Sequence, residues 1–141
     1  MPAPRIIIVA YGVTFLAFLL IDLVWLFSAG VPMFRAVVGD IILDQARLAP
    51  AILFYLLFPV GILYFASLPA LAARSLAVAA TRGGAFGFFT YMTYELTNHA
   101  TLRVWSWSLV VVDTIWGALL TATSAVLGVA AARWFNARAA A

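Results

Sequence analysis

The chain has no cysteine, no lysine, one glutamate and one histidine. Without thiols it can form no disulfide, thiolate metal site, iron–sulfur cluster or covalent haem attachment of the usual kind. Without lysine, and with eight arginines scattered singly, it offers no basic patch for nucleic acid. Charge of either sign is scarce, at 9% of 141 residues against about 25% in an ordinary soluble domain. It also lacks a glycine-rich phosphate loop and a serine set beside a base, so nucleotide binding and nucleophilic hydrolysis gain no support. What remains is apolar: the hydrophobic fraction is 67% and the mean hydropathy +1.12. A domain of this size has too little interior to hide that surface from water, so the expected solvent is lipid.

Four apolar runs reach spanning length, at about residues 6–29, 49–71, 84–102 and 109–135. In a bilayer each must be a helix, because a helix alone satisfies its own backbone hydrogen bonds there. The expected fold is therefore all-α: one transmembrane domain, a four-transmembrane-helix bundle. The first run has no small-residue cleavage site and reads as a retained span. Pro50 and Pro69 fit the ends of the second span, while Pro59, followed by Gly61, predicts a kink near its middle. Between the first two spans, Phe34, Val37, Val38, Ile41 and Ile42 recur at helical spacing within Pro32–Asp44. This predicts an outer interfacial amphipathic helix, acting as an anchor or a lid. Residues 72–83 read as a short basic inner loop. Gly117, Thr121, Ser124 and Gly128, and likewise Gly83, Gly84 and Gly87, supply small faces for close helix approach. Trp105, Trp107 and Trp134 read as interfacial anchors.

The polar residues gather at one depth. Thr90–Arg103 places Glu95, Asn98 and His99 on one face of the third span, since residues three and four apart are neighbours. At a rise of about 1.5 Å per residue, Glu95 and His99 lie roughly 17 and 23 Å from the inner side. Asp22 on the first span and Asp113 on the fourth each lie roughly 24 Å up. Tyr55 and Tyr64 of the second span offer hydroxyls at or below that layer. Trp25 and Trp116 each follow an aspartate by three residues, in the paired blocks Asp22-Leu-Val-Trp25 and Asp113-Thr-Ile-Trp116.

The expected ligand contacts are thus Asp22, Trp25, Tyr55, Glu95, Asn98, His99, Asp113 and Trp116, with His99 as a proton carrier and the tryptophans as walls. Ionisable groups in hydrocarbon are costly and mark functional sites by default. Three carboxylates in one low-dielectric layer need compensating cations or a retained proton. His99, Arg103 and Arg35 are the nearest cations in the sequence. Such a cluster suits a cationic headgroup or amine, a metal, or a proton relay. A metal would use Glu95 and His99 as an i, i+4 pair completed by Asp22 or Asp113. A tetrapyrrole would have His99 as its single axial ligand. With one histidine neither is assigned, and the cofactor is left unknown. The competing reading is an internally satisfied network, in which Asp22, Asn98, His99 and Asp113 bond one another and the indoles of Trp25 and Trp116.

Asp22-Leu-Val-Trp-Leu26, Pro50-Ala-Ile-Leu-Phe-Tyr55 with Gly61 and Pro69, Gly87-Phe-Phe-Thr-Tyr-Met-Thr-Tyr-Glu-Leu-Thr-Asn98 and Asp113-Thr-Ile-Trp-Gly117 span nearly the whole chain. Together they resemble the motif blocks of an uncharacterised domain-of-unknown-function family of small four-span bacterial inner-membrane proteins. The resemblance implies a carboxylate at position 95, commonly Asp in the family, and less regularly a histidine at 99. It implies a multi-pass protein of the bacterial inner membrane. Arg5, Arg74, Arg82, Arg133 and Arg138 outnumber Arg35, Arg47 and Arg103, which place Asp40 and Asp44 on their side. By the positive-inside rule both termini are expected in the cytoplasm. The expected function is binding of a small polar molecule or lipid headgroup in an outer-half acidic and aromatic cavity, for transfer or modification. The alternative is a structural subunit or assembly factor of a larger membrane complex. Partners beyond the bilayer are a small polar or lipid ligand and a homo- or hetero-oligomer. Whether the protein is an enzyme is left open, with no catalytic residue assigned.

Overall fold

The structure, a computed structural model, describes residues 2–139. Among these residues the regular structure is helical throughout. The elements are α1 (Pro4–Trp25), a π turn (Leu26–Gly30), α2 (Val31–Val38), a 3₁₀ turn (Gly39–Ile41), α3 (Leu48–Ile62), a second π turn (Leu63–Ser67), α4 (Leu68–Ala73), α5 (Leu76–Thr101) and α6 (Trp107–Arg138). Because helix runs unbroken through each π turn, they make four rods. Pro4–Val38, Leu48–Ala73 and Trp107–Arg138 are long and apolar enough to cross a membrane.

The fourth rod, α5, has the length, since 26 residues rise about 39 Å, but not the apolarity. The expectation of four apolar spans therefore holds for three helices. The difference comes from the threonines and polar residues of the Thr90–Arg103 stretch. Thr90, Thr93, Thr97 and Thr101 each donate to the carbonyl four residues back, at 2.6–2.8 Å. Such bonds satisfy hydroxyls inside the helix itself.

Both π turns precede a proline in the first turn of the following helix, Pro32 in α2 and Pro69 in α4. Proline lacks an N–H and crowds the carbonyl four residues back; the wider turn ahead of it relieves that conflict. Pro59 lies inside α3, so the departure expected there falls one turn later, at Leu63–Ser67. The outer amphipathic segment is helical over Val31–Val38, as a continuation of α1, and is shorter than Pro32–Asp44. Gly39 ends it at φ 59°. The inner loop expected over residues 72–83 shrinks to Arg74 and Ser75. Arg74 adopts a left-handed conformation (φ 51°), and the Ser75 N–H returns to the Ala70 carbonyl at 3.1 Å. Ser75 then caps α5, its hydroxyl accepting from the Val78 N–H at 3.3 Å.

The core is built around α6, which packs against α5 on one side and α1 on another. Small residues set that closeness. A side chain added at Gly87 would collide with the Gly117 carbonyl, and one at Gly128 with Thr14. Ala10, Ala79, Ala125, Val129 and Ala132 are fully buried along the same seams. Ile6, Leu71 and Ala132 cluster at one end of the bundle, so both terminal segments and the α4–α5 turn share it. The α5–α6 turn and α2 lie at the other end. Ile8, Leu20, Val24, Phe27, Leu57 and Leu119 face outward, as lipid-facing residues do.

Candidate functional site

Asp22 lies three residues before the end of α1 and is 5% exposed. Both of its oxygens are engaged. The Tyr55 hydroxyl of α3 donates to Oδ2 at 2.7 Å, and the Trp116 indole of α6 donates to Oδ1 at 3.1 Å. The Trp116 ring also stacks on Trp25, with centroids 4.4 Å apart and planes 13° from parallel. The two Asp-x-x-Trp blocks therefore meet across the α1–α6 seam, where the tryptophan of one serves the aspartate of the other. With one hydrogen bond from α3 and one from α6, Asp22 of α1 ties three rods together.

Glu95 is fully buried on α5. Its Oε2 accepts the Trp105 indole N–H at 2.7 Å, from a residue in the α5–α6 turn. Its Oε1 is buried with no donor. Asp113 of α6, 7% exposed, faces Glu95 closely enough for their carboxyls to interact directly. Among the described residues the single ion pair is Arg35 with Asp44, at 3.9 Å on the surface. The cations the sequence offered, Arg35, Arg103 and His99, thus neutralise none of the three buried acids.

A half-enclosed cavity of about 470 Å³ opens beside these groups. Asp22, Tyr55, Tyr91, Tyr94 and Asp113 supply its polar atoms, and Trp25, Phe34, Phe54 and Phe58 its aromatic walls. Of the expected contacts, Asp22, Trp25, Tyr55 and Asp113 line this space. Trp116 supports Asp22 and Trp25 from behind, and Glu95 reaches the cavity through Asp113. Asn98 and His99 do not line it. The His99 ring packs edge-on against Trp107 at 4.5 Å, with Nδ1 buried and unpaired. Tyr64 is 67% exposed and points away from the polar layer. Among the described residues no three acids or histidines converge to hold a metal ion, so the Glu95–His99 metal arrangement is not formed.

Six site residues escaped the sequence reading, among them the cavity walls Phe54 and Phe58 of α3. Tyr91 lies one helical turn before Glu95, a spacing that could have revealed it, and its ring covers Gly117. Tyr94 and Phe34 both pack against Trp105, with centroids 5.8 and 5.7 Å away. Trp105, expected to be an anchor, is the donor to Glu95; its reach depends on how the turn folds back, which spacing does not disclose.

Spanning-length apolar helices, glycine-lined seams and buried acids at one level define a small polytopic helical membrane protein. The chain belongs to the predicted membrane protein family DUF2177, whose family model matches residues 7–130. Neither a curated protein nor a solved structure matches it.

Proposed function

We propose that this protein binds the cationic headgroup of an amphiphile, an organic ammonium, in the cavity between α1, α3, α5 and α6, for transfer or modification. The observation that carries this reading is that Asp22 and Asp113 line an aromatic-walled cavity with no cation beside them among the described residues. An ammonium is attracted both by carboxylates and by the faces of tryptophan, tyrosine and phenylalanine rings. Apolar walls at membrane depth suit an attached alkyl chain. We place the protein in a bacterial inner membrane with α5 as a fourth span, sheltered by its seam with α6. Both termini face the cytoplasm, because Arg5, Arg74, Arg82, Arg133 and Arg138 gather toward the end that carries them. The glycine faces that could have served a larger complex are used within the chain, between α5, α6 and α1; this favours the ligand reading over a structural subunit.

The test is equilibrium binding of decyltrimethylammonium, below its micelle point, to protein in nanodiscs. Binding is followed through the intrinsic tryptophan fluorescence, with decyl sulfate as the anionic control. The ammonium binds and the sulfate does not, and Asp22→Asn and Asp113→Asn each weaken binding at least about tenfold, or about 1.4 kcal/mol. Equal binding of both probes, or full affinity in both variants, rules the reading out.

A further inference from the structure

Glu95 presents a chemical problem that the ammonium site alone does not solve. The side chain is fully buried, Oε2 is occupied by Trp105, and Oε1 has no donor. The group facing it is another carboxyl, Asp113. Two ionised carboxylates can only accept hydrogen bonds, so with both charged the buried oxygen stays unsatisfied and the pair repels itself. One proton between them removes both difficulties. It gives Oε1 a hydrogen-bonded partner and reduces the charge of the pair from two to one. The neighbours offer no substitute. Asp22 of α1 adds a further acid, already served by Tyr55 of α3 and Trp116 of α6. Tyr91 and Tyr94 of α5 add phenol groups to the cavity wall and carry no cation. Arg35 of α2 is turned to Asp44, and His99, one turn beyond Glu95, lies against Trp107.

Asp113 belongs both to this pair and to the cavity wall, whereas Glu95 lies behind it. We infer that the Glu95–Asp113 pair holds one proton, which an organic ammonium entering the cavity displaces, so that the site exchanges a proton for an organic cation one for one. This rests on the ammonium-binding reading above. The balance is simple: the pair begins with one proton and one negative charge. It ends with two carboxylates beside one ammonium, again with one net negative charge, and the proton passes to water at the open side. No bond other than O–H breaks. Glu95 does not touch the ligand; it sets the proton on the residue that does.

Two measurements test this separately. Infrared difference spectroscopy of the ligand-free protein looks for the stretching band of a protonated carboxyl. The band is present in the native protein at neutral pH and lost in Glu95→Gln; a native spectrum without it overturns the proton pair, whatever binds. Decyltrimethylammonium is then added in weak buffer with a pH indicator. The quaternary ammonium has no proton of its own, so any proton released comes from the protein. The native protein releases about one proton per ligand bound, and its affinity falls about tenfold for each unit of pH on the acid side of the pair's titration. Glu95→Gln keeps an acceptor for Trp105 and gains an amide donor for Asp113, so it binds the ligand but releases no proton. Binding without release in the native protein overturns the exchange alone and leaves the ammonium site standing. Absence of binding overturns both.

Discussion

The two ends of the bundle are packed by opposite means. Toward the end that carries the termini, helices touch through glycine and alanine, with Gly83 and Gly87 set into Thr121 and Ala125, and Gly128 into Thr14 and Ala10. Toward the other end the same helices are spaced by Trp25, Trp116, Tyr55 and Tyr91, and a cavity remains among them. Small side chains bring backbones close and leave no room for a ligand; large flat ones keep backbones apart and enclose space. The buried acids Asp22, Glu95 and Asp113 occur at this wider-spaced end. One end holds the bundle together, and the other end can therefore carry unneutralised charge that stability alone would not favour.

If that division is right, the largest losses come from the close-packed end. Gly128→Val and Gly87→Ala force side chains into Thr14 and into the Gly117 carbonyl, where no flexible group can give way. Each should cost about 2–3 kcal/mol, read from unfolding midpoints in detergent. Gly84 tests the comparison from within the same helix, because an added side chain there meets Ala122 only at 3.7 Å. Gly84→Ala should be neutral or slightly stabilising. Equal costs at Gly84 and Gly87 would show that helix propensity, and not close approach, governs this seam.

The next effect belongs to the cavity end. Tyr55→Phe removes the donor to Asp22 Oδ2 and little else, so it should cost about 1–2 kcal/mol of stability. It should also weaken decyltrimethylammonium binding, because the carboxylate is then held by Trp116 alone. A variant that loses stability but keeps full affinity would make Asp22 a fastening between helices and no part of a site.

Much of this division was legible from the residues. The layer of acids followed from a rise per residue and four run boundaries, and the two Asp-x-x-Trp blocks located the seam at which Trp116 meets Asp22. The glycine faces announced the close packing. Three things were not legible. The start of α5 was hidden because small residues look like a loop, although Ser75 was an available cap signal. The direction of His99 depended on where the α5–α6 turn placed Trp107. The donor to Glu95 came from that same turn, and a turn's fold is set by tertiary contacts that no helical period encodes.

Trp105 supplies the smaller test that separates an anchor from a donor. As an interfacial anchor it would be replaceable by phenylalanine, which keeps an aromatic ring against Phe34 and Tyr94. As the donor to Glu95 Oε2 at 2.7 Å it is not, because the buried carboxyl would then have no indole N–H on either oxygen. Trp105→Phe should cost about 1 kcal/mol in detergent. The matched control, Tyr64→Phe on the lipid-facing side of the second rod, should shift stability by less than about 0.5 kcal/mol. Because Glu95 contacts the cavity only through Asp113, Trp105→Phe should also strengthen the hold of the pair on its proton. The affinity for decyltrimethylammonium would then begin to fall at a higher pH than in the native protein. A loss of stability with no movement of that pH profile would confine Trp105 to holding the turn, and would separate the packing of this end from its chemistry.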